Sequence, residues 1–122
     1  MKNLITVLAI AFTMGLNAQT DTWRFTADKQ MHFMAGVGIS YVSADLMRNK
    51  NRFSDFDRVA VPIFASVIIG AGKEVYDLHS KKGNPSMHDF GYTVIGGVIG
   101  SFAKYGIDKL LEHRRNRIRI KL

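Results

Sequence analysis

Three long apolar segments run through the chain, and none shows the regular polar face of an amphipathic surface helix. Residues 59–72 and 90–103 contain no charged residue, and residues 31–44 contain no Asp, Glu, Lys or Arg and one histidine, His32. A helix that is apolar all round lies either inside a protein or in lipid. We therefore predict an all-α fold, a small antiparallel bundle of three apolar helices over about 28–47, over 59–77, and from 86 to beyond 111.

Polar and turn-forming residues separate these helices. Residues 48–58 are polar and predict a loop or the entry to the second helix, whose first turn would accommodate Pro62. Gly83 and the Asn84-Pro85 pair predict a turn before the third helix. Ser86 and Asp89 then have the spacing of a capping box, with Asp in place of the usual Glu.

Each fourteen-residue segment rises about 21 Å as a helix, which is shorter than the ~30 Å hydrocarbon core of a bilayer. Flanking Lys and Arg side chains can extend such a span. Small residues also recur every four positions and predict close helix packing, as in membrane bundles. These are Gly36, Ser40 and Ala44 in the first helix and Gly96 and Gly100 in the third. Tight packing in a soluble bundle is the alternative.

The N-terminus predicts export. Lys2, a mostly apolar run over 4–16 and the small residue Ala18 match the regions of a secretory signal peptide, which we place at residues 1–18. An uncleaved N-terminal anchor is the alternative, and either one predicts a location in the bacterial cell envelope. The remaining residues, 19–122, suit a single helical domain that ends in a basic tail over about 112–122.

The chain carries a net charge of +7 and has no cysteine. The lack of cysteine excludes disulfides, thiolate metal sites and cysteine nucleophiles. A basic envelope protein meets anionic lipid first, so we expect the tail to contact lipid headgroups. The tail residues concerned are Arg114, Arg115, Arg117, Arg119 and Lys121. A second envelope protein is another expected partner, whereas no nucleic-acid-binding motif is present and nucleic acid is not an expected partner.

The basic residues also predict an orientation across a membrane. With the mature N-terminus outside, eleven basic residues fall inside and five outside, which is the asymmetry of the positive-inside rule. The inside set is Arg48, Lys50, Arg52, Arg58, Lys104, Lys109, Arg114, Arg115, Arg117, Arg119 and Lys121. The outside set is Arg24, Lys29, Lys73, Lys81 and Lys82. We therefore expect the turn before the third helix to face the periplasm.

Short connections place neighbouring helices antiparallel. The start of the first helix, the end of the second and the start of the third then meet, and each end carries ionisable residues. The predicted polar cluster contains Asp28, Lys29, His32, Lys73, Glu74, Asp77, His88 and Asp89. Asp28 and His32 are four residues apart and share one helix face.

Three interpretations of this polar cluster remain open. A structural network of ion pairs is favoured. Binding of a ligand or metal is the second, with His32, Asp28, Glu74, Asp77 and Asp89 as candidate ligands. Acid–base chemistry at His32 is the third. No strong metal motif is present, so no cofactor is expected and a divalent metal stays an option. We expect a structural or accessory role rather than an enzyme.

Three blocks, "DKQMHF", "GAGKEVYD" and "HDFGYTVIGGVIG", occur in an order that resembles the YfiM-like family of small bacterial envelope proteins, described as lipoproteins of unknown function. The resemblance covers 27–100 and rests on the following residues. They are Asp28, Lys29, His32, Phe33, Lys73, Glu74, Asp77, Asp89, Gly96 and Gly100. The pattern is also similar to VanZ-like membrane proteins, which share the D-K-x-x-H-F opening. The resemblance implies a fold and a compartment, and this chain departs from the lipoprotein pattern in having no cysteine for a lipid.

Overall fold

The computed structural model describes residues 24–49, 51–80 and 83–122, and the predicted signal peptide lies outside them. Three helices account for the described elements: α1 spans Ala27–Leu46, α2 spans Asp55–Ser80 and α3 spans Met87–Lys121. All three pack against one another, and α3 makes its most extensive contact with α1. The prediction of an all-α bundle of three helices is confirmed.

Helix α2 begins at Asp55, one turn earlier than predicted, because Ser54 and Asp57 form a reciprocal cap. The amide of Asp57 donates to Ser54 Oγ at 3.1 Å, and the amide of Ser54 donates to Asp57 Oδ2 at 3.2 Å. This pattern satisfies two amides that have no partner inside the helix. Pro62 consequently lies within α2 rather than in its first turn, so that expectation was wrong.

Helices α1 and α3 cross at a seam of glycine residues. A Cβ atom added to Gly36 would overlap the carbonyl of Thr93, and one added to Gly96 would overlap the carbonyl of Phe33. A Cβ at Gly100 would lie only 2.7 Å from the carbonyl oxygen of Val37. The two backbones therefore approach so closely that no side chain fits between them, as in small-residue packing of membrane helices.

The interior of the bundle is polar. Of the hydrophobic residues in 24–49, 51–80 and 83–122, only Ala44 is buried. The other buried side chains include hydroxyl groups that donate hydrogen bonds to backbone carbonyls. Ser66 Oγ donates to the carbonyl of Ile63 at 2.7 Å, and Ser101 Oγ donates across the bundle to the carbonyl of Val59 at 2.7 Å.

The exterior of the bundle is apolar on all three helices. Leu46 on α1 is 78% exposed, Phe64 on α2 is 63% exposed and Phe102 on α3 is 57% exposed. A water-soluble domain of this size normally places such side chains inside. The bundle therefore has the opposite distribution, with small and polar groups inside and large apolar groups outside.

Helix α3 is much longer than its neighbours. Its 35 residues rise about 52 Å, whereas the 20 residues of α1 rise about 30 Å. The C-terminal end of α3, from 113 onward, is exposed and contains the predicted basic tail. The tail is thus a helical continuation of α3 as far as Lys121 rather than a separate segment.

Candidate functional site

Ionisable side chains from the first turns of α1 and α3 meet at one end of the bundle. We call the group Asp28, Lys29, His32, Asp89 and Thr93 the histidine cluster. Helix α3 is anchored here by Ser86, whose Oγ accepts a hydrogen bond from the amide of Asp89 at 3.2 Å. This is the Ser86 half of the capping box predicted from the sequence. The other half differs, because the Ser86 amide donates to Glu74 Oε2 and the Asp89 carboxylate pairs with Lys29 on α1.

Lys29 and Asp89 form a buried ion pair between α1 and α3. Lys29 Nζ donates to Asp89 Oδ1 at 2.9 Å, and the lysine is only 1% exposed. A buried ammonium group needs a partner of opposite charge, because removal from water disfavours the charged form. The pair leaves the second oxygen of Asp89, Oδ2, available to other groups.

His32 lies beside this pair with its ring orientation set by Thr93. Thr93 Oγ1 donates its hydrogen to the carbonyl of Asp89 at 3.1 Å, so toward His32 it acts as an acceptor. His32 Nδ1 lies 3.3 Å from Thr93 Oγ1 and therefore carries the hydrogen. In the neutral imidazole, Nε2 is then left with a lone pair.

The lone pair of His32 Nε2 faces two carboxylates. Nε2 lies 3.9 Å from Asp28 Oδ1 and 3.7 Å from Asp89 Oδ2. Ligand atoms of Asp28, His32 and Asp89 all lie within 4.8 Å of one another, a grouping that can hold a metal ion.

Other residues of the predicted polar cluster lie on α2, where the charge of Lys73 also acts on Asp28 and Asp89 of the histidine cluster. Lys73 Nζ donates to Asp77 Oδ2 at 2.7 Å and lies 3.6 Å from Glu74 Oε1. Glu74 Oε2 accepts a hydrogen bond from the amide of Ser86 at 2.7 Å and so ties α2 to the start of α3. His88 lies half-buried in the first turn of α3 and does not belong to the three-residue group of possible metal ligands.

A second buried group, which sequence reasoning missed, lies at the opposite end of the bundle. We call Asp45, Arg58, Lys104, Asp108 and Glu112 the arginine cluster. Arg58 is 2% exposed, and its guanidinium lies 3.3 Å from Glu112 and 3.7 Å from Asp108. Lys104 pairs with Asp108 and lies 3.1 Å from Asp45.

Sequence analysis assigned Arg58 to a polar loop or helix entry and counted Lys104 only as a flanking charge. Ser54 and Asp57 repeat the Ser-x-x-Asp pattern of Ser86 and Asp89. This pattern predicts that α2 begins before Arg58, which places Arg58 within the helix. Lys104 and Asp108 are also four residues apart on one helix face. Together, these two patterns predict ion pairs at the end of the bundle opposite His32.

A cleft of about 430 Å³ opens beside the arginine cluster. It is lined by Arg48, Asn49, Asn51, Arg58, Asp108, Leu111, Glu112 and Arg115. The buried guanidinium on its wall is already shared among carboxylates, since Arg58 also lies 3.4 Å from Asp55. The Arg58 guanidinium is therefore already paired, while the cleft lining as a whole contains three arginines and two carboxylates.

The two ends thus differ in chemistry that the bundle can support. The arginine cluster is an ion-pair network, whereas the histidine cluster directs one nitrogen and two carboxylates toward a common point.

No family model, no curated protein and no solved structure matches this chain. The resemblance to YfiM-like and VanZ-like proteins therefore stays a prediction.

Proposed function

We propose that this chain is a small membrane protein of the bacterial cell envelope whose three helices span the bilayer and whose role is structural or accessory. The observation that carries the proposal is the reversed distribution of side chains. Among the described residues, Lys29, Arg58 and Lys104 are buried, whereas Leu46, Phe64 and other large apolar side chains are exposed. In lipid this distribution is favourable, because the apolar exterior meets hydrocarbon.

The helix lengths support this proposal. Helix α2 is long and apolar enough to cross a membrane by length and composition. Helix α1 rises about 30 Å, close to the thickness of the hydrocarbon core, although its composition is less apolar. The residues that lower its hydropathy, such as Gly36 and Ser40, lie in the seam with α3 rather than on the exterior.

Packing between the helices supports the same environment. Burial of apolar surface gives no drive for association between helices that are already in lipid, so contact depends on close backbone approach and polar pairs. The glycine seam allows the close backbone approach, and Lys29 with Asp89 forms a polar pair between helices. Several buried hydroxyl groups are satisfied on carbonyls of their own helix, and Ser101 Oγ donates to a carbonyl of a neighbouring helix. Such internal partners are needed in the hydrocarbon region, where water is absent.

The proposed orientation places the histidine cluster at the periplasmic face and the arginine cluster at the cytoplasmic face. The signal-like N-terminus and the asymmetry of basic residues support this orientation. The exposed basic end of α3 would then lie at the cytoplasmic surface, where each basic residue near anionic headgroups contributes about 1 kcal/mol of attraction. Its residues are Arg114, Arg115, Arg117, Arg119 and Lys121.

Membrane extraction and cysteine labelling test this proposal together. We expect the protein to stay in the membrane pellet after a carbonate wash. Because the sequence has no cysteine, Ser80→Cys and Asn116→Cys each introduce one unique thiol. We expect an impermeant thiol reagent to label position 80 in intact cells and position 116 only after permeabilisation.

Two results would contradict the proposal in different ways. Labelling of Asn116→Cys but not Ser80→Cys in intact cells would reverse the orientation while keeping the membrane location. Release of the protein into the carbonate supernatant would show that the apolar exterior is covered by something other than lipid. The unsubstituted chain serves as the matched control, because it offers no thiol to the reagent.

A further inference from the structure

We infer that the histidine cluster binds one divalent transition-metal ion, such as Zn²⁺, through Asp28, His32 and Asp89. This inference goes beyond the structural role proposed above, and it does not depend on which way the bundle faces. It rests on the direction of one buried nitrogen, on the spacing of the ligand atoms and on the types of ligand that converge there.

The nitrogen is His32 Nε2. The His32 side chain is 9% exposed, and its Nδ1 is engaged by Thr93. Among the described residues, Nε2 has no hydrogen-bond donor within reach and instead faces carboxylate oxygens at 3.7 and 3.9 Å. A lone pair directed at two anionic oxygens is unfavourable unless a positive centre lies between them. A metal ion supplies that centre, as would a proton on Nε2, and the metal titration below distinguishes the two.

The spacing of the ligand atoms suits a small ion. Zinc binds imidazole nitrogen and carboxylate oxygen at about 2.0–2.2 Å, so two ligands at a tetrahedral angle lie about 3.4 Å apart. The observed separations of 3.7 and 3.9 Å exceed this by a few tenths of an ångström. A small rotation of the Asp28 side chain, which is 39% exposed, can close that difference.

The hydrogen bonds that hold the proposed ligands in place also match those of metal sites. Metal-binding histidines commonly donate their other ring nitrogen to a polar group that fixes the tautomer, and Thr93 receives that hydrogen bond here. Lys29 holds Asp89 through Oδ1, which leaves Oδ2 turned toward His32. Three protein ligands leave a fourth position open for water or substrate, as in catalytic rather than purely structural zinc sites.

The groups around the site favour a cation over an anion. Two carboxylates and an imidazole nitrogen converge there, and these are ligand types that bind cations. Lys29 pairs with Asp89 at 2.9 Å through Oδ1, and the charge of Lys73 also acts on Asp28. Oxygen and imidazole ligands together select a borderline ion such as Zn²⁺ or Mn²⁺, whereas Cu(I) and other soft ions prefer the thiolates that this chain lacks.

Metal titration of the full chain in mild detergent tests the inference. The protein is first freed of metal with a chelator, and Zn²⁺ is then added in a calorimeter. We expect one ion per chain, a rise in melting temperature with Zn²⁺ and, with Co²⁺ as the probe, a visible absorption band from a site with nitrogen and oxygen ligands. Loss of a residue that hydrogen-bonds a metal ligand typically weakens metal affinity about 10–100-fold, and loss of a ligand itself should weaken it at least as much.

Three variants make the test specific. His32→Gln and Asp28→Asn should each lower Zn²⁺ affinity by about 100-fold. Asp28 is partly exposed, so this variant keeps the test decisive even if His32→Gln does not fold. His79→Gln is the matched control, since His79 is an exposed histidine on α2 and its loss should leave the affinity unchanged.

Absence of any Zn²⁺ binding by the folded protein would overturn the inference. Binding that survives Asp28→Asn and His32→Gln but is lost with His79→Gln would overturn it as well, because the ion would then occupy the surface. Neither result bears on membrane location, which the carbonate wash measures independently.

Discussion

The two ends of the bundle both contain buried charge, yet they differ in how completely that charge is matched. In the arginine cluster, Arg58 and Lys104 each contact at least two carboxylates, and each carboxylate has a basic partner. In the histidine cluster, Asp28 has no ion pair with Lys or Arg among the described residues and contacts the imidazole instead.

This difference separates a structural network from a candidate binding site. An arginine stays charged at every physiological pH, so the arginine cluster is satisfied within the protein alone. A histidine is also a common metal ligand, so the histidine cluster contains a side chain that suits a bound ion. Each cluster has one carboxylate more than its lysines and arginines, so the count alone does not separate them. The difference is that every carboxylate of the arginine cluster lies beside a lysine or arginine, whereas Asp28 lies beside His32.

Removal of Arg58 should have the largest effect on stability. Arg58→Met leaves Glu112 and Asp108 without the guanidinium, and loss of one partner from a buried ion pair costs about 3–5 kcal/mol. The measurement is unfolding in mild detergent, followed by circular dichroism. Lys109→Met is the matched control: Lys109 Nζ pairs with Asp55 at 3.0 Å on the surface, and such pairs contribute up to about 1 kcal/mol.

If Arg58→Met and Lys109→Met unfold equally easily, the arginine cluster is not the structural network described above. The same pair of variants also sharpens the comparison between the ends. Neither variant should change Zn²⁺ affinity, because both residues lie at the end of the bundle opposite His32.

Substitution within the glycine seam should have an intermediate effect. Gly36→Ala places a methyl group against the carbonyl of Thr93, and overpacking of this kind costs about 1–3 kcal/mol. The seam lies one turn from His32, so we expect the melting temperature and the Zn²⁺ affinity to fall together.

Gly106→Ala is the control for the seam, because no neighbouring atom lies within 4 Å of an added Cβ at that position. Alanine favours the helix over glycine by up to about 1 kcal/mol, so this variant should be neutral or slightly more stable. Equal effects of the two substitutions would show that α1 and α3 do not approach closely.

Removal of Lys73 should have the smallest effect. Its side chain is 47% exposed and pairs with Asp77 one turn along α2, an arrangement that contributes about 0.3–0.5 kcal/mol. Lys73→Met should therefore leave unfolding nearly unchanged, whereas Lys29→Met at the same end should be far more destabilising. Comparable losses in unfolding experiments would mean that the group on α2 belongs to the buried network.

The sequence predicted the number and order of the helices because the apolar segments are long and separated by clear turn signals. It predicted the meeting of α1 and α3 at Asp28, His32 and Asp89 because topology alone brings those ends together. It did not predict burial of Arg58, since a charged residue beside a polar loop is usually solvated. Nor could it divide the predicted polar cluster into two groups, because that division depends on the rotation of α2 about its axis.

The ion pair between Lys29 and Asp89 also constrains how the protein is made. Its two members are separated by 60 residues, so at about 5–20 residues per second the ribosome adds Asp89 roughly 3–12 s after Lys29. During that interval, α1 carries an ammonium group whose partner does not yet exist. The contact that places Lys29 inside the bundle therefore forms only after the start of α3 has been synthesised.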